Sequence, residues 1–103
     1  MPFLDFSRMP LEDFRPGIKS AVQFGEQLLL AVMTLEAGLK DPGHVHPFDQ
    51  CGVILKGSFL LTIAEESRSL GPGEGYFIPA GIFHSWSVPS GPVTVVDVSP
   101  KVT

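Results

Sequence analysis

Prolines and glycines cut this chain into short pieces, and that punctuation limits its fold more than any other feature. Ten prolines and eleven glycines are spread through 103 residues. Between them lie short runs rich in Val, Ile, Leu and Phe. No window of helical length carries an apolar stripe of 3.6-residue period, and short strands separated by turns are the mark of an all-β sandwich or barrel. Strands are expected at about residues 19–24, 27–35, 50–56, 58–64, 68–70, 75–78, 84–87 and 93–99. Leu11 to Phe14 reads as one helical turn before "RPG". Lys56-Gly57 leaves room only for a tight turn between two strands. Short antiparallel strands at this spacing predict a jelly-roll double sheet.

The length predicts one domain over residues 1–103, with its core at about 19–99. A net charge of -4 gives no surplus of Lys and Arg to neutralise phosphates, so no nucleic-acid partner is expected. Cys51 is the one cysteine, which excludes a disulfide within the chain and zinc-finger spacing. The start, "MPFLDFSRMP", lacks the basic and apolar regions of a signal peptide, and the run Leu28 to Met33 is too short to span a bilayer. A cytoplasmic protein with no membrane partner is expected.

Chemistry concentrates in "HVHPFDQ", residues 44–50. Side chains alternate across a strand, so His44 and His46 share a face if the segment is extended. Gln50 has the same parity and offers an amide oxygen. His84, the third histidine, follows the turn "PAGIF" and would supply a ligand from a separate strand. Taken alone, the H-x-H pair is more simply two solvated or core histidines, and His84 a satisfied turn histidine.

The spacing around them is not generic. Gly38, His44, His46, Gln50 and Gly57 form one pattern, and Gly73, Pro79, Gly81 and His84 a second. Both resemble the two signature motifs of the cupin superfamily, in the same order, across residues 38–88. The resemblance implies a double-stranded β-helix barrel with one mononuclear metal held by His44, His46, Gln50 and His84. Two positions depart from the general pattern: Gln50 stands where Glu is usual, and Val88 where Asn is usual. A neutral Gln50 would leave the metal its full charge and make it a stronger Lewis acid. Three nitrogens and one oxygen suit Zn²⁺, Ni²⁺, Mn²⁺, Fe²⁺ or Co²⁺.

A narrower resemblance extends over "RPGIKSAVQFGEQLLLAVMTLEAG", "HVHPFDQCGVILKGSFLLTI", "YFIPAGIFHSW" and "VVDVSP". These stretches look like the small cupins of pectin and alginate breakdown, which open unsaturated monouronates to linear keto acids. In that group an acid on the last strand moves a proton, and Asp97 matches its position. Asp97 shares parity with Val93, Val95 and Ser99. The bland alternative is a solvated acid at a strand end. The group also has an aromatic where this chain has Ser99, and a later arginine for the substrate carboxylate, for which Lys101 is the available cation.

Cys51, of opposite parity to Gln50, is expected to face away from the site as a buried, inert thiol. Trp86 is expected in the pocket wall or the core, Phe48 and Phe77 in either, and Arg68 in solvent. The implied function is lyase or isomerase chemistry on a small hydroxy-, keto- or sugar-acid bound to the metal. A metal-dependent dioxygenase and a non-catalytic ligand binder are the alternatives, told apart by metal identity, oxygen uptake and ligand-induced stabilisation. The resemblance also implies a homodimer that covers edge strands.

Overall fold

A computed structural model describes residues 3–101. The ends of the expected 1–103 unit lie outside the described residues. Ten strands run in order: β1 Glu12–Arg15, β2 Ile18–Phe24, β3 Leu28–Leu35, β4 Lys40–His44, β5 Gln50–Lys56, β6 Phe59–Ile63, β7 Glu66–Leu70, β8 Gly75–Ile78, β9 His84–Ser87 and β10 Val93–Pro100. They form a six-stranded sheet, β1-β2-β3-β10-β5-β8, and a four-stranded sheet, β4-β9-β6-β7, with antiparallel pairing throughout. This is the jelly-roll architecture expected.

Three local expectations change. Leu11 to Phe14 is no helical turn; β1 covers Glu12–Arg15 and pairs with β2, Glu12 opposite Ser20. Pro16 and Gly17, with Gly17 at φ +82°, close the hairpin, and ladder bonds to β2 outweigh the local helix signal. β4 was hidden by "DPG", which reads as a turn. Pro42 is tolerated there because β4 is an edge strand, where a missing N–H breaks no ladder. Lys56-Gly57 does not close a hairpin either. β5 and β6 lie in different sheets, and Gly57 at φ +74° carries the chain across. A Cβ there would lie 2.3 Å from the Pro92 carbonyl oxygen, so only glycine fits the crossing.

Between the sheets Ile18, Leu35, Ile54, Phe59, Leu61 and Leu70 pack with Val88, Val93 and Val95. Each contributes about 1.5–3 kcal/mol by leaving water. Val88, at the position where the general pattern has Asn, is 1% exposed and belongs to this core. The rest of the space between the sheets is a cavity of about 810 Å³. Among the described residues no helix is long and apolar enough to cross a membrane.

Candidate metal centre

His44 ends β4, His84 opens β9, and the two stand opposite each other in the four-stranded sheet. The β4–β9 register slips between Asp41 and His44, and Gly43 sits in the slip at φ +121°. A Cβ on Gly43 would lie 2.0 Å from the Phe83 ring, so glycine lets that ring close over the strand. Val45 points out and His46 returns inward, as alternation predicts. The His44 ring lies 4.5 Å from His46 and 4.4 Å from His84 by centroid. One ligating nitrogen from each histidine falls within 4.8 Å of the others.

Parity does not explain Gln50. The chain leaves the four-stranded sheet after His44, and Gln50 opens β5 in the other sheet, opposite Ile78. Backbone bonds fasten this crossing to the second motif. The Gly81 N–H donates to the His46 carbonyl at 2.8 Å, and the Ala80 N–H to Asp49 Oδ1 at 2.9 Å. The two motifs therefore meet as one structure.

Hydrogen bonds fix how these groups face. His84 Nδ1 lies 3.0 Å from the Ile82 carbonyl and donates to it, which leaves Nε2 as the lone pair. His44 Nδ1 lies 3.1 Å from Asp41 Oδ1, a carboxylate–histidine contact of the kind that orients metal ligands. Gln50 Nε2 donates to Asp97 Oδ2 at 2.9 Å, so its Oε1 turns the other way. His84 Nε2 and Gln50 Oε1 are buried and have no hydrogen-bond partner among the described residues. Two buried, unpaired acceptors beside two further imidazoles are costly unless a cation meets them. These residues fit a divalent transition metal.

Electrostatics agree with a neutral His46. Burial pushes the His46 pKa below its ordinary value, and the neighbouring His44 and His84 add to the effect. Partial burial acts to raise the Asp41 pKa, but the Gly43 N–H and His44 bonds, with the charges of His44 and Arg15, outweigh it and hold it low. Phe48 stacks on His46, with ring centroids 4.7 Å apart.

Asp97 is 5% exposed and lines the cavity, so it is not a solvated strand end. Both of its bonds reach Oδ2, one from Gln50 and one a short bond from the Tyr76 hydroxyl. Burial drives the Asp97 pKa up, against the pull of Tyr76, Gln50 and His84. Burial and Asp97 raise the Tyr76 pKa well above its ordinary value, so the phenol remains a donor.

Sequence reasoning missed Tyr76 and the reason it reaches Asp97. Gly52 lies directly between them in the sheet, opposite Asp97 on one side and Tyr76 on the other. A Cβ at Gly52 would sit 2.5 Å from the Tyr76 hydroxyl oxygen and 2.5 Å from the Val96 carbonyl oxygen. Glycine lets the ring cross the strand. The available signal was a glycine inside an apolar strand, which marks close approach. Asp41 was also missed.

Other expectations resolve variously. Trp86 lines the cavity and packs on the core. Cys51 is half-buried rather than buried, because its place between Val98 and Phe77 lies on the outer face of the sheet. Phe77 is 59% exposed on edge strand β8, neither core nor wall of the main cavity, because its parity turns it outward. Arg68 is exposed and pairs with Glu66 at 2.8 Å. Lys101 is not part of the cavity wall; its Nζ lies 5.9 Å from the Phe24 ring centroid.

Comparison with known proteins agrees with this architecture. A search of curated proteins finds no significant match. Among solved structures, KdgF from Halomonas sp. superposes with a TM-score of 0.88 at 22% identity, covering 100% of this chain and 96% of that one. An RmlC-like cupin from Shewanella frigidimarina gives a TM-score of 0.86 at 19% identity, covering 99% of this chain and 92% of the other. TT1209 from Thermus thermophilus gives 0.79 at 28% identity, covering 97% of each chain. The family model described as "Cupin domain" matches residues 31–99. That match spans most of the chain and takes in His44, His46, Gln50, His84 and Asp97, and so this chain belongs to the cupin family.

Proposed function

We propose that this cupin is a metal-dependent enzyme of lyase or isomerase type, acting on a small hydroxy-, keto- or sugar-acid. One observation carries the reading. His44, His46 and His84 cluster with the buried, unpaired His84 Nε2 among them, and the buried, unpaired Gln50 Oε1 and the buried Asp97 carboxylate belong to residues lining the same cavity. The resemblance of residues 44–63 and 76–86 to the cupins that open unsaturated monouronates supports the substrate class.

His44, His46, His84 and Gln50 would hold the cation, and its contribution when bound is to polarise a substrate oxygen. Asp97 would move the proton. Tyr76 and Gln50 occupy its Oδ2, while Oδ1 accepts no hydrogen bond among the described residues and is the oxygen free to take up or return a proton. The apolar wall around Asp97 keeps that proton from bulk water. A homodimer, as the resemblance implies, and a cytoplasmic location belong to the same proposal; Phe77 on the open edge β8 is one apolar side chain a second copy could cover.

The test is metal content by elemental mass spectrometry on untagged protein, beside His44→Ala/His46→Ala, followed by turnover assays on unsaturated uronates and 2-oxo acids. About one transition metal per chain and metal-dependent loss of the substrate double bond or proton exchange at carbon support the reading. Oxygen uptake would instead favour a dioxygenase. Ligand stabilisation without turnover would favour a binding protein.

A further inference from the structure

The cavity is chemically two-sided, and the division follows the strand order. His44, His46, His84, Gln50, Tyr76 and Asp97 gather where β4 and β9 face β5, β8 and β10. On β1–β3 the wall changes character. Val22, Phe24, Leu29, Ala31 and Met33 line it, and Ser20 and Arg15 are the only polar residues there. The register makes the two halves one surface. Asp97 stands opposite Ala31, and Ala31 opposite Val22; Phe24 stands opposite Leu29 in the next inward-facing row. From β5 across β10 and β3 to β2 is three strand spacings, about 14 Å.

We propose that the substrate of this site is an amphipathic acid, with an oxygen-bearing anionic head at the histidines and an unsubstituted hydrocarbon body on β3 and β2. This rests on the proposed function and narrows its substrate class. A polyhydroxylated sugar ring on Val22, Phe24, Leu29 and Met33 would lose hydration without gaining partners. A hydrocarbon body gains by leaving water there. Ala31, between Asp97 and Val22 in the same row, is small and apolar and lines the cavity. Arg15, exposed at the end of β1, also lines the cavity and has no ion-pair partner among the described residues. The cavity, about 810 Å³, is within the usual size for a small-molecule site.

The experiment titrates metal-loaded protein with 2-oxobutyrate, 2-oxohexanoate and 2-oxooctanoate, beside glucuronate and an unsaturated monouronate, by calorimetry. Affinity is expected to rise up to about fourfold per added methylene, on the order of a hundredfold across the alkyl series. Phe24→Asp, at a position already 58% exposed, should flatten that rise while metal content stays unchanged. Ala31→Leu should block the longer acids and spare 2-oxobutyrate; Phe24→Asp carries the test if that variant does not fold. Equal affinity along the series, or tighter binding of either sugar acid, overturns the inference. So does a Phe24→Asp variant that dissociates a dimer and leaves the affinities intact, because the face then belongs to a second copy. The metal analysis reports separately on the proposed function, so the two can fail independently.

Discussion

The two sheets hold their share of the candidate site by different means. The four-stranded sheet contributes His44 and His84, with His46 just past the end of its edge strand β4, and main-chain geometry aims them: a slipped register at Gly43, the Ile82 carbonyl on His84, and the turn bonded to His46. The six-stranded sheet contributes Gln50, Asp97 and Tyr76, which hold one another by side-chain bonds above Gly52. A histidine can therefore be removed with little disturbance of the fold, whereas the carboxylate cluster is part of the fold. This difference also gives a reason for glutamine at position 50. Asp97 already fills one side of that side chain, and a carboxamide can donate to Asp97 while presenting an oxygen to the histidines; a glutamate would set carboxylate against carboxylate.

The largest expected effect is on the histidine side. His46→Ala should take metal content from about one per chain to none, while the apo melting temperature moves by no more than about 4 °C. Elemental analysis and calorimetry on the same samples check both halves, and a large apo loss would mean the histidines also support the fold. Gly52→Ala should behave in the opposite way. Its Cβ meets the Val96 carbonyl as well as the flexible Tyr76 ring, and main chain cannot step aside. A cost of about 2 kcal/mol, roughly 10 °C, is expected in the apo protein.

The glutamine argument is tested by exchanging the two groups. Gln50→Glu alone should destabilise the apo protein at neutral pH. Asp97→Asn added to it should recover most of the loss, because a carboxamide on β10 can then donate to the carboxylate introduced on β5. A coupling of about 1–3 kcal/mol is expected from chemical denaturation of the four proteins. Additive effects would mean that the 2.9 Å bond does not govern the choice of residue.

The same contrast decides what could be read before the fold was known. The histidines and Gln50 are marked by spacing, because each motif is a short run whose turns set the side chains locally. Alternation along one strand put Asp97 on the face of Val93 and Val95 but left open whether that face was solvated, and the structure places Asp97 on the cavity wall. What alternation cannot supply is which residue on another strand lies opposite. Tyr76 and Gly52 belong to the site only through the pairing of β10 with β5 and β5 with β8. β1 and β4 were obscured for a related reason: their ladder partners, not their own residues, make them strands.

The smallest expected effect is on pH dependence, and it isolates the Asp97 charge. An asparagine carbonyl in its place can still accept from Tyr76 and Gln50, so Asp97→Asn removes the ionisation and keeps both bonds. Burial raises the folded pKa of Asp97 above its unfolded value of about 3.9. For a carboxyl shifted upward, the folded state binds its proton more tightly than the unfolded state. Relative to Asp97→Asn, the wild-type apo protein should therefore be most stable below about pH 4 and lose ground as pH rises through the folded pKa of Asp97. Above that value the difference becomes constant. A difference that instead grows in favour of the wild type with rising pH would mean that the bonds from Tyr76 and Gln50 outweigh burial. Asp97 would then sit in the cavity as a settled anion, and the Oδ1 proton transfer proposed for it would lose its basis.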